Sequence, residues 1–368
     1  MRPRAHAVLI VGGGPAGLAT AIELSRRGIA ALVVERSDYD DVRVGEHLYP
    51  AAVLQLRDIQ SAAHLPLDAH GTSAGIEAYW GSATPNYLDY FVHPGQRGLN
   101  LLRPQFDADL ARACERSGAT VARSAILRRA RQEGAGWEAD VAIDGKTRCF
   151  QVSVIVDATG RAAAFARSQG AQVRADDRQI AVVSLKDDAH HATDTRSLVE
   201  TAEIGWWYGA SIGASRCICM LVTDDDLLPP HARTDLSAWW RDQQQRTTHV
   251  ARRFAGGGTA DRLVVRSARS QRTEPACGAG WVAVGDAAMA FDPMASQGIA
   301  KALEHAERAA AGIAAYLAGD TACLHGFAHE LAQEYSAYRA KRAAYYRGET
   351  RWPDAVFWQR RHHEAVAS

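Results

Sequence analysis

The chain lacks any excess of charge. Over 368 residues, 42 Lys and Arg balance 42 Asp and Glu, and no basic block stands out. A nucleic-acid binder needs a phosphate-neutralising stripe, so that class is excluded. No run of eighteen apolar residues occurs, which excludes a membrane-spanning helix. The first apolar strand begins within the first ten residues and leaves no room for a secretory signal, so a cytoplasmic location is expected. There are only six cysteines, and only Cys217 and Cys219 are close together. No second pair completes a zinc site, so all six are expected to be buried thiols in a reducing compartment. His190-His191 and His362-His363 lack a ligand set and are expected on the surface. No internal repeat or low-complexity tract appears. Hydrophobic residues make up 47% and charged residues 23%, ordinary for a soluble enzyme, and 368 residues suggest two lobes or one large α/β domain with insertions.

What is present is concentrated at the start. Val8–Val11 is an apolar strand, and Gly12, Gly14 and Gly17 follow at G-x-G-x-x-G spacing. A helix runs on to Arg27, Gly28 ends it, and Ala31–Val34 is a second apolar strand closed by Glu35. The first glycine permits the tight turn, the second lets backbone approach a pyrophosphate, and the third lets helix and strand pack closely. The helix N-terminus, with Pro15 and Ala16 at its start, offers a partial positive charge to phosphates. Glu35 lies eighteen residues after Gly17, beside Arg36, where a carboxylate accepts a ribose 2′-OH and repels a 2′-phosphate. FAD or NAD is therefore favoured over NADP.

Further along, helices are expected over 51–58, 106–117, 236–253 and 299–316, with a helical, aromatic-rich tail to Trp358. Strands are expected over 120–123, 137–143, 152–156, 180–185, 205–211, 217–222, 264–269 and 281–284. The fold class is α/β: a discontinuous Rossmann-like nucleotide-binding domain over 1–72, 97–165 and 265–310. A β-sheet substrate domain over 73–96 and 166–264 is inserted in it, and 311–368 forms a C-terminal helical segment. A second fingerprint spans Val282–Ala310. There Gly285-Asp286 ends a strand, and Asp292-Pro293 and Ser296-Gln297-Gly298 open a helix. Asp286 can bond a ribityl hydroxyl. The N–H groups of Gly298 and Ile299 can stabilise negative charge at flavin N1/O2.

With both motifs in view, the chain resembles the para-hydroxybenzoate-hydroxylase-fold flavoproteins over nearly its whole length. The segment LLRPQFDADLARACERSGA, residues 101–119, is similar to that family, which implies that Arg103 and Gln105 lie near the ribityl and pyrophosphate. Arg43 and Gly45 match the loop beside the isoalloxazine. VGEHLYP, AYWGS, DPMASQGIAKALEH and the tail YYRGETRWPDAVFWQRR resemble the tryptophan-halogenase-like branch, and within it the flavoprotein hydroxylases of peptidyl tryptophan in quinone-cofactor biogenesis. The halogenase W-x-W-x-I-P motif is replaced by GWWYGASIG, residues 205–213, and neither Lys186 nor Lys301 stands in a halogenase-type context. DATGR, residues 157–161, replaces the nicotinamide-linked D-G fingerprint.

The resemblance implies a monooxygenase with non-covalent FAD and O₂ as co-substrate. It would hydroxylate an electron-rich aromatic, an indole or a peptidyl tryptophan, through a flavin C4a-hydroperoxide. Its substrate is then a small aromatic or a peptide- or protein-bound one, with electrons from NAD(P)H, directly or through a separate flavin reductase. The alternatives are a flavin-dependent halogenase and an FAD-dependent reductase or oxidase of the geranylgeranyl-reductase type. His47 is the candidate acid or base, because imidazole exchanges a proton near neutrality. Glu46 is expected to orient the flavin edge or His47, or to carry the proton itself. Trp206 and Tyr208 alternate onto one face of a strand and are the candidate substrate contacts, with Trp207 on the other face.

Overall fold

The computed structural model describes residues 6–40, 42–92, 97–187, 194–213, 216–254 and 262–364; His190 and His191 lie outside them. Its core is a six-stranded sheet in the order Cys277–Gly278, Trp281–Ala283, Val154–Asp157, Val8–Val11, Ala31–Val34, Thr120–Ala122. Neighbours pair in parallel except at the Cys277–Gly278 edge. Every residue of Ala31–Val34 and Val154–Asp157 is buried, as apolar strands covered on both faces must be. Helices Pro15–Arg26, Arg103–Arg116 and Gly298–Leu317 contribute to the covering, and Phe106, Leu110 and Cys114 share one fully buried helix face.

A seven-stranded sheet forms the second layer, in the order Arg262–Ser267, Gln179–Asp187, Arg216–Asp224, Gly205–Ile212, Ser197–Ala202, Gly75–Tyr79, Asn86–Asp89. The period of two sorts its two faces. Trp206, Tyr208, Ala210 and Met220 pack with Trp80, Tyr346 and Trp358. Trp207, Cys217, Cys219 and Leu221 pack with Trp239 and Trp240. The tail forms the helices Cys323–Arg347 and Val356–Glu364. Among the described residues no helix is long and apolar enough to cross a membrane.

Several expectations change. The single helix over 236–253 is two, Leu236–Gln245 and His249–Phe254. The Glu200 carboxylate takes the N–H groups of Thr248, His249 and Val250 at 2.8, 2.9 and 2.7 Å, so the helix restarts there with its N-terminus capped from a neighbouring strand. The strand over 152–156 is two as well, because Lys146–Val152 closes a separate antiparallel meander with Gly136–Ile143 and Ile126–Glu133. The domain limits also shift. Residues 265–267 belong to the seven-stranded sheet, Gln172–Ala175 pairs with Gln271–Glu274, and Gly298–Leu317 runs unbroken across the boundary at 310. Of the cysteines, Cys149 is exposed and Cys323 half-buried, against the expectation that all are buried.

Candidate active site

A cleft runs along the C-terminal ends of the parallel strands. Its wide end, roughly 900 Å³, is lined by Gly12, Gly14, Glu35, Arg36 and Arg43 among others. Its narrow end, roughly 340 Å³, is lined by Pro15, Ala16, Gly45, Glu46, His47, Arg103, Tyr208, Asp286, Pro293, Gln297, Gly298 and Ile299. Gly14, Ala158, Gly160 and Arg266 line both.

The three glycines differ physically. Gly12 has φ +109°, and a Cβ there would lie 2.2 Å from the Ala158 carbonyl oxygen; one on Gly17 would lie 2.0 Å from that of Gly12. The fold itself demands those two. A Cβ on Gly14 would meet nothing within 4 Å, so the protein's own packing does not require a glycine there. The space it leaves opens at the N-terminus of Pro15–Arg26, where the first intrahelical bond is Leu18 N–H to the Gly14 carbonyl at 3.0 Å. A bare backbone at a helix start is the cradle a pyrophosphate needs, so FAD fits the site. Glu35 organises the same end. It accepts from Gly13 N–H at 2.7 Å, Ser37 N–H at 3.0 Å and Ser37 Oγ at 2.6 Å. Arg43 bridges Glu35 at 3.2 Å to the fully buried Asp107 at 2.9 Å. Arg43 therefore lines the wide end of the cleft, whereas Gly45 of the same loop lines the narrow end. Gln105 is exposed and lines neither end of the cleft.

At the narrow end Arg103 ties the loop to the helix it begins. It donates to the carbonyls of Val44 and of Gly45, the latter at 3.1 Å, and pairs with Asp107 at 3.1 Å. Gly45 has φ +95°, and the turn needs it. Asp286 is paired with the buried Lys301 at 2.8 Å and with Arg161 at 3.6 Å, which hold its carboxyl below the usual range against the penalty of burial. Lys301 Nζ also donates to the Met289 carbonyl and lies over the Phe291 ring. At the start of Gly298–Leu317 the first intrahelical bond is Lys301 N–H to the Gln297 carbonyl, which leaves the N–H groups of Gly298 and Ile299 at the cleft.

The two catalytic candidates separate sharply. His47 is 7% exposed. Its Nδ1 lies 3.0 Å from Asn100 Oδ1 and its Nε2 2.9 Å from the Tyr90 hydroxyl. Asn100 spends its amide N–H on the Ser211 carbonyl at 3.0 Å, so its Oδ1 must accept from His47 Nδ1–H, and Nε2 must accept from Tyr90. Burial lowers the His47 pKa. The ring is a neutral, fully bonded strut, which removes the reason for making it the proton carrier. Glu46 is 3% exposed, and its Oε1 has no hydrogen-bond partner. Burial pushes its pKa up to about 7, with Arg103 opposing. A buried carboxyl poised near neutrality, in a residue that lines the cleft, is equipped to take or give a proton.

Tyr208 lines the cleft, with its hydroxyl 3.4 Å from Ser197 Oγ. Trp206 does not. It is 1% exposed, and its indole N–H donates to the Tyr346 hydroxyl at 3.1 Å within the aromatic cluster under the tail. The substrate role expected for it is therefore withdrawn: the strand puts both residues on one face, but the C-terminal tail covers only the Trp206 end. Tyr90, Asn100, Ser197 and Arg161 were not legible as site residues, because they lie 43, 53, 150 and more than a hundred positions from their partners His47 and Asp286 and no motif spacing connects them. The pairing of Lys301 with Asp286, 15 positions before it in the second fingerprint, was likewise missed.

The family model described as FAD binding domain matches residues 5–346. The LodB protein of Marinomonas mediterranea, named as an FAD-dependent oxidoreductase, is 28% identical over 367 residues, covering 96% of each chain. A structure of CmlS, a flavin-dependent halogenase, superposes with a TM-score of 0.87 at 22% identity, over all of this chain and 70% of that one. QhpG, a peptidyl tryptophan dihydroxylase of tryptophylquinone cofactor biogenesis, superposes with a TM-score of 0.80 at 23% identity, over 97% of this chain and 78% of that one.

Proposed function

The chain belongs to the FAD binding domain family, and on that premise we propose that it is a flavin monooxygenase that hydroxylates an electron-rich aromatic ring, an indole or a peptide-borne tryptophan. The reading rests on one observation: a buried Glu46 oxygen without a hydrogen-bond partner, in a residue that lines the narrow end of the cleft together with the apolar Ala181, Met220 and Ala268 and with Tyr208. When bound, FAD supplies the activation of O₂ and the delivery of one oxygen atom. The apolar wall holds the ring and keeps water out. Glu46, ionised, receives the proton that the ring must lose to regain aromaticity. His47, fixed by Asn100 and Tyr90, keeps Glu46 and its loop in place. The free N–H groups of Gly298 and Ile299, at a helix N-terminus on the cleft, would hold the flavin and favour negative charge on it.

Halogenation is less favoured. Among the described residues no lysine lines the cleft. Lys186 donates to the Phe254 carbonyl, and Lys301 is committed to Asp286 and Met289. In DATGR, Asp157 accepts from Thr159 N–H at 2.9 Å and Ala166 N–H at 2.7 Å, so its carboxylate is spent on the turn. We therefore assign the electron supply to a separate flavin reductase or to slow use of NAD(P)H; rapid anaerobic reduction by NADPH alone would contradict this. Turnover under ¹⁸O₂ tests the main reading. One labelled oxygen in the aromatic product is expected. A halogenated product in the presence of chloride or bromide, or a product changed only by two hydrogens, would overturn it.

A further inference from the structure

The loop that carries Pro293, Gln297 and Gly298 to the cleft is held from behind, by the C-terminal helix Cys323–Arg347. Three of its side chains, Tyr338, Arg342 and Tyr346, are spaced four residues apart and so share one face. All three reach Asp292. The Tyr338 hydroxyl accepts from Asp292 N–H at 2.7 Å, and its ring stacks on Phe291 at 3.9 Å and 7°. Asp292 Oδ2 accepts from the Tyr346 hydroxyl at 2.7 Å and from Arg342 Nε at 3.2 Å. Arg342 also pairs with Asp177 at 3.0 Å. The other carboxylate oxygen of Asp292 accepts from Met294 N–H at 3.0 Å and caps the turn Pro293–Ala295. That turn ends at Ser296 in the left-handed region, φ +49°, directly before the helix start. None of the three helix residues lines the cleft.

We infer that Tyr338, Arg342 and Tyr346 are positioning residues: they fix Asp292, and through it the aim of the helix N-terminus at Gly298 and Ile299 toward the flavin. A dipole aimed at the ring favours the reduced, more negative cofactor over the oxidised one, so loosening the clamp weakens binding of reduced FAD selectively. The Tyr346 hydroxyl further accepts from Trp206 Nε1 at 3.1 Å and Gln179 Nε2 at 2.9 Å, both on strands of the seven-stranded sheet. The clamp thus joins the sheet that carries Tyr208 to the loop that faces the flavin.

The inference rests on FAD occupying the cleft but not on which reaction follows. The test measures dissociation constants for oxidised and reduced FAD on the full chain. Tyr346→Phe and Tyr338→Phe each remove one hydroxyl and keep the ring. In each, the constant for reduced FAD should rise about tenfold more than that for oxidised FAD, the worth of about one buried hydrogen bond. For a two-electron couple that is a fall in potential of about 30 mV. Trp240→Phe, in the core on the opposite sheet face, is the comparison: it should lower the melting temperature and leave the ratio unchanged. If Tyr346→Phe does not fold, Tyr338→Phe carries the test. An unchanged ratio in the folded variants, or an equal change in Trp240→Phe, would overturn the clamp. Failure of the unaltered protein to bind FAD would overturn the cofactor assignment, and the clamp with it.

Discussion

Replacing Glu46 with Gln separates the proton chemistry from the packing. Gln has nearly the same shape and cannot ionise. In the folded protein the Glu46 carboxyl titrates at about 7 rather than 4.5, because it is buried and Arg103 offsets only part of that burial. Below neutrality it is a neutral acid, and above it a buried carboxylate with an unpartnered oxygen. As a base it should make wild-type turnover rise through pH 7. Glu46→Gln should lose that limb and lower turnover by about 10²–10⁴, the range for a general base. Stability should move the other way. A carboxyl whose folded pKa is raised destabilises the fold only once it must ionise. The penalty is absent below the unfolded value of about 4.5, grows as pH rises, and is complete above 7. The displacement corresponds to about 3 kcal/mol at one pH unit per 1.36 kcal/mol. Glu46→Gln should therefore melt a few degrees above wild type at pH 8 and close to it at pH 4. Steady-state rates between pH 5.5 and 9 and melting curves over the lower range read both effects. A variant that keeps the limb near pH 7, or whose turnover falls less than about threefold, would refute the assignment.

Other outcomes follow from the same geometry. Gly14→Val should give a folded protein without flavin, because its side chain enters only the cleft, whereas Gly17→Ala should fail to fold, its Cβ lying 2.0 Å from a backbone oxygen; flavin content and circular dichroism distinguish the two. His47→Gln should retain FAD and the pH limb near 7, since burial favours the neutral native ring against the opposing Asn100 hydrogen bond; loss of that limb would return the proton to His47. Trp206→Phe should leave substrate KM unchanged and cost about 1–3 kcal/mol of stability through the lost bond to Tyr346, measured by denaturant unfolding; a large rise in KM would put the indole in the cleft after all.

The glycine turn, the flanking strands and Glu35 were legible because their rules are local. The positive φ at Gly12, the close contact at Gly17 and the apolar runs of Val8–Val11 and Ala31–Val34 are properties of a few consecutive residues. The start of the helix at Gly298 and the sorting of Trp206 from Trp207 followed likewise, from fixed periods along the chain. The FAD-binding frame was therefore visible in the sequence alone. The chemistry at its narrow end was not. Whether Glu46 or His47 is free to move a proton depends on Asn100, Tyr90 and Ser197, which lie 53, 43 and 150 positions from His47. The break in the helix before His249 depends on a carboxylate about 50 positions earlier, at Glu200. Trp206 is buried because the distant tail helix brings Tyr346 to it, 140 positions on. A pKa, a hydrogen-bond partner and a place on or off a cleft are set by what desolvates a group and what charge stands beside it. Helical and strand periodicity carry no information about either. The sequence by itself determined the nucleotide cradle; tertiary packing set the burial and the hydrogen bonds of the adjacent Glu46 and His47 at the narrow end, and with them the opposite directions in which their pKa values move.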